Sequence, residues 1–397
     1  MREPGLPREI YVLAFASFAV GTQAYVFSGQ LEGLARDLGV TVAKAGQLAS
    51  AFALTFAIAA PVVATVTGRL DRKPVIVIGL AAIGLLNVAS ALAPGFEWLL
   101  GLRVACGLAA TAIVPIASAA AAQLAPPERR GRALSVVLAG TTLAFALGVP
   151  MGSGIGGLLG WRATFAYAGA LGLGAALAIA LALPSVRPPG SVRPAFSSAL
   201  NADVLRWIAL TLAAFAAAFT VVAYIGPVVT LATGVSGGAV GWFQTLVGVG
   251  SIAGVAIGGR LADKPGRMRS AALVFAVMTL TLSTYSLLVG RGPEAPGNAA
   301  LLCLVLAFGA GSVFSLAAIV QAGLVEAAPQ AGAVALALNG SAIFFGQGLG
   351  ALLGGGVIAS VGYGALGLVA GAIAGATAIG AALASRPRLI RVGDVKA

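Results

Sequence analysis

The stretch AGQLASAFALTFAIAAPVVATVTGRLDRKP, residues 45–74, decides what kind of protein this is. Between Lys44 and Arg69 it carries no charged side chain, and then it turns abruptly basic. A helix needs about 20 apolar residues to cross about 30 Å of hydrocarbon. The uncharged run is long enough, and its end reads as a short polar loop. Barrel strands would alternate with period two, which this run does not. Eleven comparable runs lie on either side of it. The spacing predicts spans over 10–30, 46–67, 75–93, 98–122, 134–158, 163–183, 206–231, 239–259, 270–290, 298–324, 333–357 and 363–384. The fold class is an all-α membrane protein of twelve transmembrane helices.

Composition agrees. Apolar residues make up 59% of the chain and charged residues 9%. A soluble domain carries roughly 25% charged residues, so this chain could not cover a soluble surface. The 56 glycines suit helices that approach closely in lipid. A net charge of +12 in a soluble protein would suggest nucleic acid. Here the basic residues sit between apolar runs, so no nucleic-acid partner is expected. With no histidine, a His-based metal site or triad is excluded. Cys106 and Cys303 lie far apart inside apolar runs and read as small core residues. No metal or cofactor is expected. The N-terminal run lacks a cleavable-signal pattern and reads as a retained first span. A membrane-embedded enzyme would need clustered carboxylates or histidines. The acids are isolated in loops, tails and span ends, so the chain is not read as an enzyme.

Loop charge sets the topology. Nineteen Lys and Arg fall in the termini and the 2–3, 4–5, 6–7 and 8–9 connections, against four in the others. Both termini are therefore expected on the cytoplasmic side. Residues 184–203, PSVRPPGSVRPAFSSALNAD, form the longest polar stretch. They divide the chain into a six-helix bundle over 1–183, a central cytoplasmic loop, a second bundle over 204–385 and a basic tail over 386–397. The halves echo each other. TGRLDRKP (67–74) follows span 2 and GGRLADKPGR (258–267) follows span 8, the offset of an internal repeat.

Three motifs carry a family resemblance. The first is Gly68-Arg69-Leu70-Asp71-Arg72-Lys73, with a second copy at Gly259, Arg260, Asp263, Gly266 and Arg267. The second is Arg103 in RVACGLAATAIVP, with Gly107 four residues on. The third is GTTLAFALGVPMGSGIGG in span 5, where Gly140, Ala144, Gly148, Gly152 and Gly156 recur every four residues around Pro150. Together they resemble a major facilitator superfamily transporter, close to the twelve-span drug:proton antiporter and sugar or nucleoside efflux branch. The resemblance implies two pseudo-symmetric six-helix bundles in a bacterial inner membrane, acting as a monomer among lipids. It implies export of a small organic solute by alternating access in exchange for protons. A proton-independent facilitator or importer stays open as the alternative.

Gating is expected at Gly68, Asp71, Arg72, Gly148, Pro150, Gly152, Gly259, Asp263 and Arg267. The span-5 stripe is expected to rock against the other half, with Pro150 bending the helix. Arg103 should lie about five residues into span 4, roughly 7–8 Å deep. A charge that deep costs at least about 2.5 kcal/mol, which favours a functional role over an interfacial Arg that snorkels. The solute cavity should lie near the midplane, where polar and aromatic residues interrupt apolar spans. Its expected lining is Gln23, Tyr25, Gln30, Phe52, Phe56, Arg103, Thr142, Phe145, Phe219, Tyr224, Gln244, Gln321, Asn339, Phe345 and Gln347. Span 1 departs from the family at Gly21-Thr22-Gln23-Ala24-Tyr25-Val26, where many efflux members carry an acid. The proton-coupling candidates shrink to Glu32 and Asp37, with the loop Asp71 behind them.

Overall fold

The computed structural model describes residues 5–188 and 201–385. Residues 189–200 of the central connection, the tail 386–397 and the counted cations Arg2 and Arg193 lie outside the described residues. Twelve helices are long and apolar enough to cross a membrane. Spans 1 to 6 are Arg8–Asp37, Val42–Thr67, Arg72–Ala91, Phe96–Leu124, Pro127–Leu159 and Trp161–Ala182. Spans 7 to 12 are Ala202–Val222, Gly237–Ala262, Arg267–Arg291, Asn298–Ala327, Val334–Ser360 and Tyr363–Ala384. No strand occurs among the described residues. In hydrocarbon each backbone N–H and C=O must be satisfied within its own segment, and a helix does that.

The spans sort into two bundles with the same internal pairing. In the first, span 1 packs on 5, span 2 on 4 and span 3 on 6. In the second, span 7 packs on 11, span 8 on 10 and span 9 on 12. The bundles meet through span 2 against 11 and span 5 against 8.

Several spans are broken, and proline explains three of the breaks. Proline lacks an N–H and its ring clashes with the carbonyl four residues back. Pro115 faces Thr111, and span 4 parts between helices Phe96–Ala110 and Ile113–Leu124. Pro150 faces Ala146, inside a π turn over Ala144–Gly148 in which the Val149 N–H reaches back to the Ala144 carbonyl. Pro227 faces Ala223, where the helix Ala202–Val222 ends before a new one starts over Ile225–Thr233. The expected unbroken span over 206–231 is corrected accordingly. Span 1 also breaks, after Tyr25, and resumes through a 3-10 turn at Ser28–Gln30 into the helix Leu31–Asp37. It has no proline at the break, so something else must hold it.

Candidate functional site

The bundles touch from the middle of the spans to the end opposite the chain termini. Among the described residues four hydrogen bonds join them, all in that part of the molecule. Tyr25 donates to Gln347 Oε1 at 2.6 Å, and Tyr224 approaches the Ala43 carbonyl at 3.5 Å. Gln244 bonds both Ser28 and Ser153. Towards the termini the halves part. From Ile58 to Thr67 no residue of span 2 is buried, so span 11 no longer covers it.

The floor of this opening is aromatic. Phe56 stacks on Phe344 with ring centroids 3.8 Å apart, and Phe52 meets Phe344 edge-on at 6.2 Å. Beside them Tyr25 contacts Phe219 at 5.0 Å and Phe145 at 6.1 Å, and Phe145 meets Phe314 at 6.2 Å. Among the described residues the only hydrogen bond between these floor side chains is the Tyr25 hydroxyl on Gln347. Thr142 shares the helix face of Phe145 and Val149, one turn nearer the termini, and is half-buried. Gln321 shares the face of Phe314 two turns towards the termini and is exposed. Tyr25, Phe145, Phe219 and Gln347 are thus brought together, with Phe56 stacked on Phe344 beside them, while Thr142 and Gln321 lie on the same helix faces nearer the termini. Phe345 does not join them. It shares a face with the exposed Leu352 and Gly356, on the flank of the bundle, and Phe344 points inward in its place. Phe344 and Phe314 were missed; the Gly346, Gly350 and Gly354 stripe could have fixed the register, since it faces span 7.

Arg103 lies deeper than expected, because span 4 starts at Phe96. Seven residues of helix place it about 10 Å from that end. It is fully buried, which rules out a snorkelling side chain, and it faces its own bundle. Nη2 donates to the Ala24 carbonyl at 2.7 Å, and Nη1 to the Gln23 carbonyl at 3.1 Å and Gln23 Oε1 at 3.2 Å. These carbonyls end the helix Arg8–Tyr25, where carbonyls lack intrahelical donors and a cation is favoured. Arg103 is the clamp that holds the proline-free break in span 1. The rings of Phe52 at 4.8 Å and Phe27 at 5.2 Å enclose it. Gln23 also accepts from Asn87 Nδ2 at 3.4 Å. Gln23 and Arg103, expected in the cavity, lie behind Phe52.

The glycine stripes need a similar correction. An added Cβ at Gly140 would sit 2.1 Å from the Ala14 carbonyl, at Gly148 1.9 Å from Thr22 Oγ1 and at Gly152 2.2 Å from Val26 Cγ2. At Gly156 it would meet Gln30 Cγ at 2.5 Å. The stripe packs on span 1 of its own bundle, not on the other half. Gly346, Gly350 and Gly354 pack likewise on span 7. The contacts between bundles fall elsewhere: Gly157 on Gly238, Gly241 on Pro150, Gly248 on Ala146 and Gly46 on Tyr224.

Other candidates are tied up locally. Gln30 donates to the Ser153 carbonyl at 3.1 Å. Asn339 accepts from Thr211 at 2.6 Å in the span 7–11 seam. The Tyr224 hydroxyl donates to the Ala351 carbonyl at 2.8 Å, in the closed end. Asp37 accepts from the Trp161 indole at 2.9 Å with Arg162 at 3.8 Å, at the end opposite the termini. Glu32 is half-buried near the same end. Neither carboxylate reaches the aromatic floor.

The two loop motifs match in sequence and differ in bonding. After Gly68, Asp71 accepts from the Ser185 hydroxyl, from Lys73 N–H at 3.0 Å and from Val186 N–H at 3.2 Å. The Arg72 N–H donates to the Val186 carbonyl at 3.0 Å, fastening the loop to the segment after span 6. In the second copy Gly259 and Asp263 are exposed, while Arg267 bonds Glu326 of span 10 and the Ala262 carbonyl at 2.7 Å. The Ser185 hydroxyl, opposed in part by desolvation, holds the Asp71 carboxyl below its ordinary value of 3.8. A carboxyl lowered by folding stabilises above its ordinary pKa and loses that only as pH falls through the lowered value. Protease sensitivity of the 2–3 loop should therefore stay constant from pH 8 down to about pH 5. A transition inside that window would mean that Asp71 is not what holds the loop.

A sequence model of the Major Facilitator Superfamily matches residues 13–331. The chain belongs to that superfamily. A chloramphenicol resistance protein of Streptomyces lividans is 35% identical over 65% of this chain and 68% of its own length. The uncharacterised transporter YbcL of Bacillus subtilis is 30% identical over 87% of this chain and 88% of its own length. In structure the chain resembles a bacterial homologue of the human lysosomal transporter Spinster, solved inward-facing and occupied, with a TM-score of 0.69 at 16% identity. That match covers 95% of this chain and 92% of the other. A D-xylose–proton symporter gives a TM-score of 0.73 at 18% identity over 94% and 96% of the two chains. At such identities the solved structures speak for the fold. This superfamily member is a membrane-embedded transporter of small molecules.

Proposed function

We propose that this transporter exports a small, neutral, aromatic organic solute by alternating access, with the open end facing the cytoplasm. The aromatic floor carries the reading. Its rings offer faces and edges to a planar solute, and the Tyr25–Gln347 pair offers one hydroxyl and one amide. No charged side chain stands among them, which disfavours permanent dications. The orientation follows from the basic loops at the open end. The span-5 motif belongs to exporters in the resemblance, and the name of the Streptomyces relative points the same way.

The test is uptake of neutral aromatic antibiotics, nucleosides and sugars into proteoliposomes. Saturable flux of the aromatic compounds, and none of dications, is the expected result. Flux of sugars alone would overturn the reading. Phe344→Ala should raise KM about 2- to 12-fold, the value of an aromatic pair.

Proton exchange is the coupling that the resemblance implies, with Glu32 the carboxylate left unbonded. A second reading, a proton-independent carrier, is favoured by the position of Glu32 and Asp37 away from the floor. A pH dye in the same liposomes separates them. Proton counterflow that stops in Glu32→Gln supports exchange, and solute flux without proton movement supports the carrier.

A further inference from the structure

Gln244 of span 8 is 4% exposed, and both heteroatoms of its amide are bonded across the bundle interface. Its Nε2 donates to Ser28 Oγ at 3.1 Å, and its Oε1 accepts from the Ser153 hydroxyl at 2.5 Å. Ser28 opens the 3-10 turn at the break in span 1. Ser153 sits in the helix that follows the π turn of span 5. One amide is therefore fastened to two irregular joints of the first bundle, those of spans 1 and 5.

The surroundings are almost wholly apolar and closely packed. Along span 8, Gly238, Gly241 and Gly248 bracket Gln244. Added Cβ atoms there would lie 3.2 Å from the Gly154 carbonyl, 2.8 Å from the Pro150 carbonyl and 2.0 Å from Ala146 Cα. Beside the amide is a cavity of about 20 Å³, whose lining includes Tyr25, Ser28, Phe145, Val149 and Gln244. That is room for one water molecule.

We propose that Gln244 is a positioning residue of the transport cycle, its amide bridging Ser28 and Ser153 to close the far end while keeping that closure reversible. The proposal rests on the alternating-access reading above. An all-apolar seam gains from leaving water and has nothing to regain on opening, so it stays shut. A bridge with every polar atom paired is different. Opening exchanges serine hydroxyls for water at little net cost. Removing one partner leaves the others facing carbon when the seam is closed, and only opening relieves them.

The two conformations can be counted by electron–electron resonance. Spin labels at Glu97→Cys and Glu294→Cys, in a Cys106→Ala/Cys303→Ala background, report on an exposed helix start of the first bundle and an exposed loop of the second at the far end. Gln244→Leu should raise the ratio of long to short distances about 5- to 150-fold. Ser28→Ala/Ser153→Ala, which strands the amide instead, should move it the same way and stands in if Gln244→Leu fails to fold. The variant with all three substitutions should fall back to the parent ratio or below it. A merely structural glutamine would not give that reversal. An unchanged ratio in the first two variants, or a triple variant as open as the single, overturns the bridge. A parent with one distance population under every solute tried overturns alternating access itself, and the proposal with it.

Discussion

Replacing Arg103 by Ala is expected to abolish transport and to lower the unfolding temperature of the purified protein. The guanidinium is fully buried and makes three hydrogen bonds to the last turn of the first helix of span 1. Without it the Gln23 and Ala24 carbonyls face carbon, and a void opens between Phe27 and Phe52. Each buried acceptor left without its donor typically costs about 1–3 kcal/mol. Part of that cost can be met by letting the break in span 1 shift. The shift would carry Tyr25 and Ser28 with it, and both belong to contacts between the bundles. Arg103→Lys keeps the charge and loses the fork that reaches two carbonyls at once. It should recover part of the stability and little of the transport. Both quantities are read on the same preparations, by thermal unfolding and by flux into liposomes. An Arg103→Ala protein that unfolds and transports like the parent would show that span 1 holds its break unaided.

The second large effect separates two glycines that look equivalent in sequence. Gly148→Leu forces a side chain into Thr22, whose Oγ1 would lie 1.9 Å from the new Cβ. In the proposed cycle that seam stays closed, because both helices belong to one bundle. Gly148→Leu should therefore lower thermal stability and lose transport as a consequence. Gly248→Leu forces a side chain against the backbone of Ala146 in the other bundle, with 2.0 Å between the new Cβ and Ala146 Cα. In the proposed cycle that contact exists only when the far end is closed. Gly248→Leu should keep its unfolding temperature, lose transport, and hold the far end apart. Equal loss of stability in both variants would mean that the seam between bundles does not open.

Much of this architecture was legible in the sequence, and the reasons mark where legibility stops. Span number and bundle count follow from run length and loop charge, which depend on residue type alone. The bend at Pro150 was readable for the same reason, and the break before Pro227 should have been. Facing was harder. In a soluble helix the polar side announces the surface, but here both sides are apolar. Phe344 and Phe345 differ by one position and by about 100° around the helix, and composition cannot choose between them. Amides were harder still. Gln23, Gln244 and Asn339 were read as cavity lining because a bare amide in hydrocarbon is costly. The cost is real, yet Ser28 and Ser153 meet it for Gln244, and Thr211 and Arg103 partner the amide oxygens of Asn339 and Gln23, while the Gln23 Nε2 stays buried without a partner among the described residues. Those partners are distant in sequence and invisible to local pattern.

The stacked pair of Phe56 and Phe344 also has an electrical meaning. Water can fill the open end, so that space sits at the potential of the solution it faces. Two rings 3.8 Å apart leave no path for a thread of water, and a dry constriction does not conduct ions. The membrane voltage then falls across the sealed half of the molecule instead of the whole bilayer. A unit charge crossing that half would exchange about 2.3 kcal/mol for every 100 mV. A neutral solute crossing it alone would exchange nothing, so proton-independent carriage should scarcely follow the membrane potential, whereas exchange for a proton should follow it.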